Sequence, residues 1–229
     1  SAGSPAPCRA TKSWASKKLK HALLKAKFKL KVKFKSKGER FKMKNKTLVL
    51  IAVCIAVNIA LGQVVSTLKL PIFLDAIGTI LAALLMGPWV GMFTGLCTNL
   101  IWGLASGPAA AAFAPVSMAI GLTVGFLGRH GLFRSLPLAL VSGVLVTVVV
   151  TLVATPIRTY LFGGVTGSGA DFLVAYLNAV GQKLLQSVAW AVVGTNLIDK
   201  VLSCAIVWGL MKGLPRRIRA QFPEACRVD

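Results

Sequence analysis

The run Trp190–Met211, W-A-V-V-G-T-N-L-I-D-K-V-L-S-C-A-I-V-W-G-L-M, decides how this chain is read. Its 22 residues are enough to cross a bilayer as a helix. Inside it lie Asn196, Asp199, Lys200 and Ser203, spaced i, i+3, i+4 and i+7, so all four share one helical face. An Asp or Lys at mid-membrane costs about 2.5–3.5 kcal/mol on insertion scales and is kept for a bundle interior or a solvated site. The stretch therefore predicts a membrane-crossing helix whose polar seam serves a binding site.

Composition agrees. Hydrophobic residues make up 55% of the chain, charged residues 14%, and the mean hydropathy is +0.74, far from an average soluble domain. With 229 residues there is room for about six spans and no soluble catalytic domain beside them. The five cysteines form no CxxC pair, and they read as packing residues rather than as metal ligands or disulfides.

The net charge of +21 is lopsided, because 16 of the 27 Lys and Arg lie in residues 1–46. This segment does not fit a secretory signal, since no small-residue cleavage site follows a short apolar core. Between Lys25 and Lys37, lysines alternate with Ala26, Phe28, Leu30, Val32, Phe34 and Ser36. That period of two suits either an amphipathic ribbon on anionic lipid or a disordered basic leader. No nucleic-acid-binding fold accompanies it.

Past Lys46, apolar stretches bounded by charge, Pro and Gly predict six spans: 47–65, 70–86, 89–104, 109–127, 136–161 and 190–211. An interfacial helix over 171–189 precedes the last span, with a single long helix from Val180 to Met211 as the alternative. If the Lys-rich tail is cytoplasmic, Arg129, Arg134, Lys212, Arg216, Arg217 and Arg219 also fall inside, leaving only Lys69, Arg158 and Lys183 outside. The expected organisation is an all-α membrane protein: a bundle of six transmembrane helices with both termini cytoplasmic. Its parts are a basic tail over 1–46, a membrane domain over 47–213 and a short basic C-terminal tail over 214–229.

Small residues recur every fourth position: Ala52, Ala56 and Ala60 in the first span, Gly87, Gly91 and Gly95 at the third, and Gly121 and Gly125 in the fourth. Such rows let helix backbones approach closely. Asn99 needs a partner if buried in hydrocarbon. Trp102, Arg158 and Tyr160 read either as interface anchors or as site residues. Asp75 opens the second span, as a cap or as a gating or ligand residue. Between Thr47 and Met211 the carboxylates number only three, Asp75, Asp171 and Asp199. Asp199 and Lys200 are neighbours about 100° apart on a helix and need not pair with each other.

Four features together resemble the substrate-binding S component of energy-coupling factor (ECF) vitamin transporters. They are L-P-I-F-L-D-A-I-G-T over Leu70–Thr79, the G-P-W-V-G turn over Gly87–Gly91, the alanine row, and N-L-I-D-K-V-L-S over Asn196–Ser203. The likeness spans about Lys46–Pro215. It implies a six-helix membrane protein of the prokaryotic plasma membrane that captures one vitamin-like micronutrient from outside. It further implies association with a transmembrane scaffold subunit and two ATPases, followed by toppling to release the solute inside. Carried over by position, Ala52, Ala56 and Ala60 form the scaffold-docking ridge, and Asn99, Trp102, Arg158, Asn196, Asp199 and Lys200 line the pocket. The chain has no Walker A sequence, so ATP is used only by partner subunits and no cofactor of its own is expected.

Other classes fare worse. His21 and His130 lie in the tail and a loop, and the carboxylates are scattered, so no catalytic or metal-binding set is visible. No inverted repeat marks a channel or secondary transporter. A membrane sensor or scaffold without transport activity is the alternative that the same six spans would serve.

Overall fold

The computed structural model describes Asn45, residues 47–222 and residues 224 and 225. The helices below belong essentially to one compact unit that begins at Val49. The basic tail and its alternating-lysine stretch lie outside the described residues. The described residues are mostly helical and contain no strand.

Three helices are long and apolar enough to cross a membrane: α1 (Thr47–Thr67), α6 (Leu136–Pro156, continued to Leu161 by a π-helical turn) and α8 (Leu184–Gly213). Between them run α2 (Ile77–Met86), α3 (Pro88–Ser106), α4 (Pro108–Ala112), α5 (Ala114–Arg129) and α7 (Asp171–Ala179), and α9 (Arg216–Arg219) follows α8. Large apolar side chains such as Val53, Leu104, Leu152 and Ile198 stay exposed, which suits a surface bathed in lipid.

Several elements differ from the apolar segmentation. The second span shortens to the 10 residues of α2, because 70–74 is non-helical. Pro71 biases Leu70 away from the helical region, and Leu74 adopts φ +48°, a left-handed conformation costly for a side chain with a Cβ. The fourth span breaks at Phe113, where Pro115 cannot continue the hydrogen-bond ladder of α4. The helix expected over 171–189 divides at Gly181, whose φ is +91°, and α8 starts at Leu184. Phe222 and Ala225 pack against the hydrophobic core, and Glu224 pairs with Arg129 at 2.8 Å.

The glycine rows lie where helices cross. Along the α3–α5 contact, a Cβ on Gly121 would fall within 2.5 Å of the Met92 nitrogen and onto the Gly91 backbone. One on Gly95 would meet the Ser117 backbone, and one on Gly125 would meet Pro88. At the α6–α8 crossing, a Cβ on Gly143 would approach Val201 Cα to 2.6 Å, and Thr147 Oγ1 there donates to the Asn196 carbonyl at 3.2 Å. The alanine row behaves otherwise: Ala52, Ala56 and Ala60 are exposed, while Cys54, Asn58, Gly62 and Val65 form the buried face of α1.

Asn58 joins three helices. Its Nδ2 donates to Thr79 Oγ1 (2.9 Å) and Thr98 Oγ1 (3.2 Å), and its Oδ1 accepts from the Gly78 N–H at 2.6 Å. That N–H is one of the unpaired donors at the start of α2. The cap of α2 therefore comes from α1. The N-cap position is Ala76, and no side chain of α2's own lead-in, Asp75 included, caps the helix.

Gly121→Val is expected to cost about 1–3 kcal/mol, since the added side chain would overlap the Gly91–Met92 backbone at the α3–α5 crossing. Size-exclusion profile and thermal melt in detergent check this. Gly209→Ala, in open space, serves as the control; equal melts for the two variants would refute the close crossing.

Candidate functional site

The seam on α8 faces inward. Thr195, Asn196, Asp199, Lys200 and Ser203 are all buried within the bundle. At this level a cavity of about 560 Å³ occupies the end of the bundle where α1, α3 and α6 finish and α5 and α8 begin. Its apolar depth comes from Val116 and Ile120 on α5, Val150 and Ala154 on α6, and Val192 on α8. Its mouth is formed by two loops, one contributing Leu70, Ile72, Phe73 and Asp75, the other Thr166–Gly169.

Asn99, Trp102, Arg158, Asn196 and Lys200 all line this cavity, and Asp75 joins them. Asp199 does not. It is wholly buried behind Lys200, with which its Oδ2 forms an ion pair. Although the two residues are successive on one helix, the long lysine stem folds back far enough for its ammonium to reach the carboxylate. The other oxygen, Oδ1, accepts N–H bonds from Phe73 (3.2 Å) and Leu74 (2.7 Å). Asp199 thus holds Leu74 in its left-handed conformation and delivers Phe73 and Asp75 to the cavity. It positions the wall rather than forming it.

A second buried ion pair shapes the other loop. Pro156 lacks the N–H needed to continue α6, and the chain passes into the π-turn Ile157–Leu161, where Arg158 is turned into the protein at 3% exposure. Arg158 Nη2 pairs with Asp171 Oδ1, and its Nε donates to the Gly164 carbonyl at 3.0 Å. Asp171 Oδ2 accepts from the N–H groups of Thr166 (3.0 Å) and Gly167 (2.6 Å), and its Oδ1 from the Thr166 and Ser168 hydroxyls. Tyr160, by contrast, is 80% exposed.

The remaining polar wall is also ordered. Asn99 Nδ2 donates to the Ala110 carbonyl (3.1 Å), and its Oδ1 accepts from Ser117 Oγ (3.1 Å), tying α3 to α4 and α5. Trp102 Nε1 donates to Gln63 Oε1 at 3.3 Å, with the indole lying over Gly62 of α1. Phe113 stacks on Phe162, ring centroids 5.8 Å apart, closing the side between α4 and α6. This set of ordered amides, rings and ion pairs around an apolar depth can orient a small polar-tipped molecule. Among the described residues no group of three His, Cys, Asp or Glu is placed to hold a metal.

Sequence reasoning passed over Asn58, Gln63, Phe73 and the role of Asp171. For Asn58 the signal was present: it is a lone amide in an apolar span, and the logic applied to Asn99 covers it equally. For Asp171, scarcity was the clue, because Arg158 has few carboxylates to choose from.

Asp199→Leu is expected to destabilise the fold by about 3–5 kcal/mol, the cost of leaving one member of a buried pair uncompensated. Thermal unfolding in detergent reads this directly. A melt within a degree of the parent would show that the pair and its loop contacts carry no weight.

The family model described as ECF transporter, substrate-specific component, matches residues 46–211. Comparison with curated proteins and with solved structures gave no match. The matched region holds α1 to α8 almost entire, and with them every residue named around the cavity. Proteins of this kind are substrate-binding subunits of transporters, not enzymes, and they work with a scaffold, ATPase modules and a small-molecule substrate. With a match over most of its length and helices fit to cross a bilayer, this multi-pass membrane chain belongs to the family of ECF transporter substrate-specific components.

Proposed function

We propose that the protein captures a vitamin-like micronutrient at the outer face of a prokaryotic plasma membrane and hands it to an ECF-type ABC importer. The observation that carries this reading is the 560 Å³ cavity at one end of the bundle, with an apolar depth and a polar, loop-built mouth. In this reading the six apolar segments cross the membrane, with α2 reaching only part of the way as a helix, and both termini lie in the cytoplasm. The distribution of Arg and Lys between the loops supports that orientation. The solute-facing set is Asn99, Trp102, Arg158, Asn196 and Lys200, with Asp75 at the mouth and Asp199 behind it. The cavity volume suits a molecule of one to three rings, such as a pyridoxine- or flavin-sized solute, and is too small for a corrinoid.

Energy comes from two ATPase subunits through a scaffold, and the chain needs no cofactor of its own. Ala52, Ala56 and Ala60 form the docking ridge in this reading. Their exposure on a face of α1 opposite Asn58 supports it, because small side chains there leave the α1 backbone open to another helix.

Two outcomes are expected. Mass spectrometry of the protein purified from its own membranes should find one small molecule bound in near-stoichiometric amount, and Trp102→Ala should lower its retention about tenfold. That figure corresponds to losing roughly 1.4 kcal/mol of aromatic contact. Ala56→Trp should leave retention unchanged while abolishing ATP-dependent uptake in cells co-expressing the scaffold and both ATPases. Normal uptake by Ala56→Trp would remove the ridge from the docking surface, and a chain that never retains a solute would remove the capture function.

A further inference from the structure

The charges around the cavity cancel. Among the described residues, the cations in its wall or on the loops of its mouth are Lys200, Arg158 and Lys69, and the carboxylates are Asp75, Asp171 and Asp199. Lys200 pairs with Asp199 and has Asp75 Oδ1 at 3.6 Å, and Arg158 pairs with Asp171. Lys69 Nζ donates to the carbonyl of Gly167, whose N–H is held by Asp171 at 2.6 Å.

An ion entering this space would leave its own water for an apolar depth and find each counter-charge already engaged. An anion gains Lys200 or Arg158 only by displacing a carboxylate, and a cation gains Asp75 only by drawing it from Lys200. Either displacement strands a charge inside the bundle, the costly way to break a buried pair. An uncharged solute enters with every pair intact.

One neutral group in the wall is unused. Asn196 on α8 lines the cavity at 6% exposure. Its Nδ2 donates to the Val192 carbonyl one turn back, at 2.9 Å. That bond fixes the orientation of the amide, because exchanging its two ends would set oxygen against oxygen. Oδ1 accepts from no described residue, and it is not sealed within the protein. Asn99 differs, with one end on the Ala110 carbonyl and the other on the Ser117 hydroxyl. A largely buried acceptor without a donor favours a solute that brings an N–H or O–H. Trp102 and Phe113 add ring faces to the same cavity, against which a flat body packs.

We propose that the cavity selects an uncharged aromatic solute carrying an N–H or O–H donor, which Asn196 Oδ1 receives. This assignment of substrate class rests on the capture function proposed above. It adds the charge of the solute and the group on the protein that reads its polar edge.

Four probes of one shape test it: benzamide, benzoate, benzamidinium and acetophenone, which are a neutral donor, an anion, a cation and a neutral body without a donor. Binding to the full chain in lipid nanodiscs is measured by ligand-observed NMR at neutral pH. Benzamide should bind about tenfold more tightly than either ion. It should bind about fivefold more tightly than acetophenone, the worth of one neutral hydrogen bond. Asn196→Leu should remove that second margin while acetophenone binds as before, which separates loss of the acceptor from loss of fold. Asn196→Asp, which keeps an acceptor and adds a negative charge, should move the preference to benzamidinium. Asp75→Asn, which leaves one positive charge over, should raise benzoate to the affinity of benzamide. Either ion matching benzamide in the parent chain, a margin over acetophenone that survives in Asn196→Leu, unaltered preferences in the two charge variants, or no binding of benzamide would each overturn the proposal. A co-purified solute that is ionic at neutral pH would overturn it too, yet leave the capture function standing. The same selection in a chain that drives no uptake with scaffold and ATPases would uphold it while the import function fell.

Discussion

An ammonium and a carboxylate held side by side in an apolar bundle set the terms for the rest of this structure. Lys200 and Asp199 sit midway along α8, where each alone would cost several kilocalories per mole to keep out of water. Pairing removes part of that cost but leaves one carboxylate oxygen in need of donors. The chain meets the need with the N–H groups of Phe73 and Leu74, more than a hundred residues away in sequence. The loop before α2 is thereby bound to the middle of α8. Leu74 takes a left-handed conformation, α2 begins only at Ile77, and Phe73 and Asp75 arrive at the cavity. One buried pair dictates a helix boundary and half of a binding-site mouth.

The same rule recurs at each polar group the bundle encloses. The Asn58 amide has no water to bind, so it bonds Thr79, Thr98 and the free N–H of Gly78, and α1, α2 and α3 are locked together. Arg158 finds Asp171, which gathers the 166–168 backbone and hydroxyls into the second loop of the mouth. The site is thus walled by non-helical segments, which an apolar medium tolerates only where their backbone groups are satisfied inside the protein. Two carboxylates do that work, and a third, Asp75, lines the cavity 3.6 Å from the Lys200 ammonium.

Packing supplies the complementary half. With lipid as apolar as the side chains, helices adhere by close approach, and glycines at the α3–α5 and α6–α8 crossings bring backbones into contact. The alanine row on α1 stays exposed because that helix turns Cys54, Asn58, Gly62 and Val65 inward instead. Small residues at one spacing therefore have two fates in this chain, buried at a crossing or displayed on a face. The spacing is the same in both.

Much about the chain was legible from its residues alone. Composition and apolar run length determined a helical membrane protein, and the four-residue polar spacing on Trp190–Met211 determined that one face of the last long helix turns inward. These are local properties, fixed by helical periodicity and by the cost of exposing charge to hydrocarbon, so no knowledge of the neighbours was needed. Which groups meet was decided by the tertiary structure alone. Nothing near Asp199 in sequence announces that it would turn to Lys200 and the Phe73–Leu74 backbone and so leave the cavity wall. Nothing near Arg158 announces Asp171, and nothing in 214–229 announces the docking of Phe222 and Ala225 or the Arg129–Glu224 pair. Partner choice among buried polar groups depends on distances between segments far apart in the chain, and only the packed bundle sets those distances.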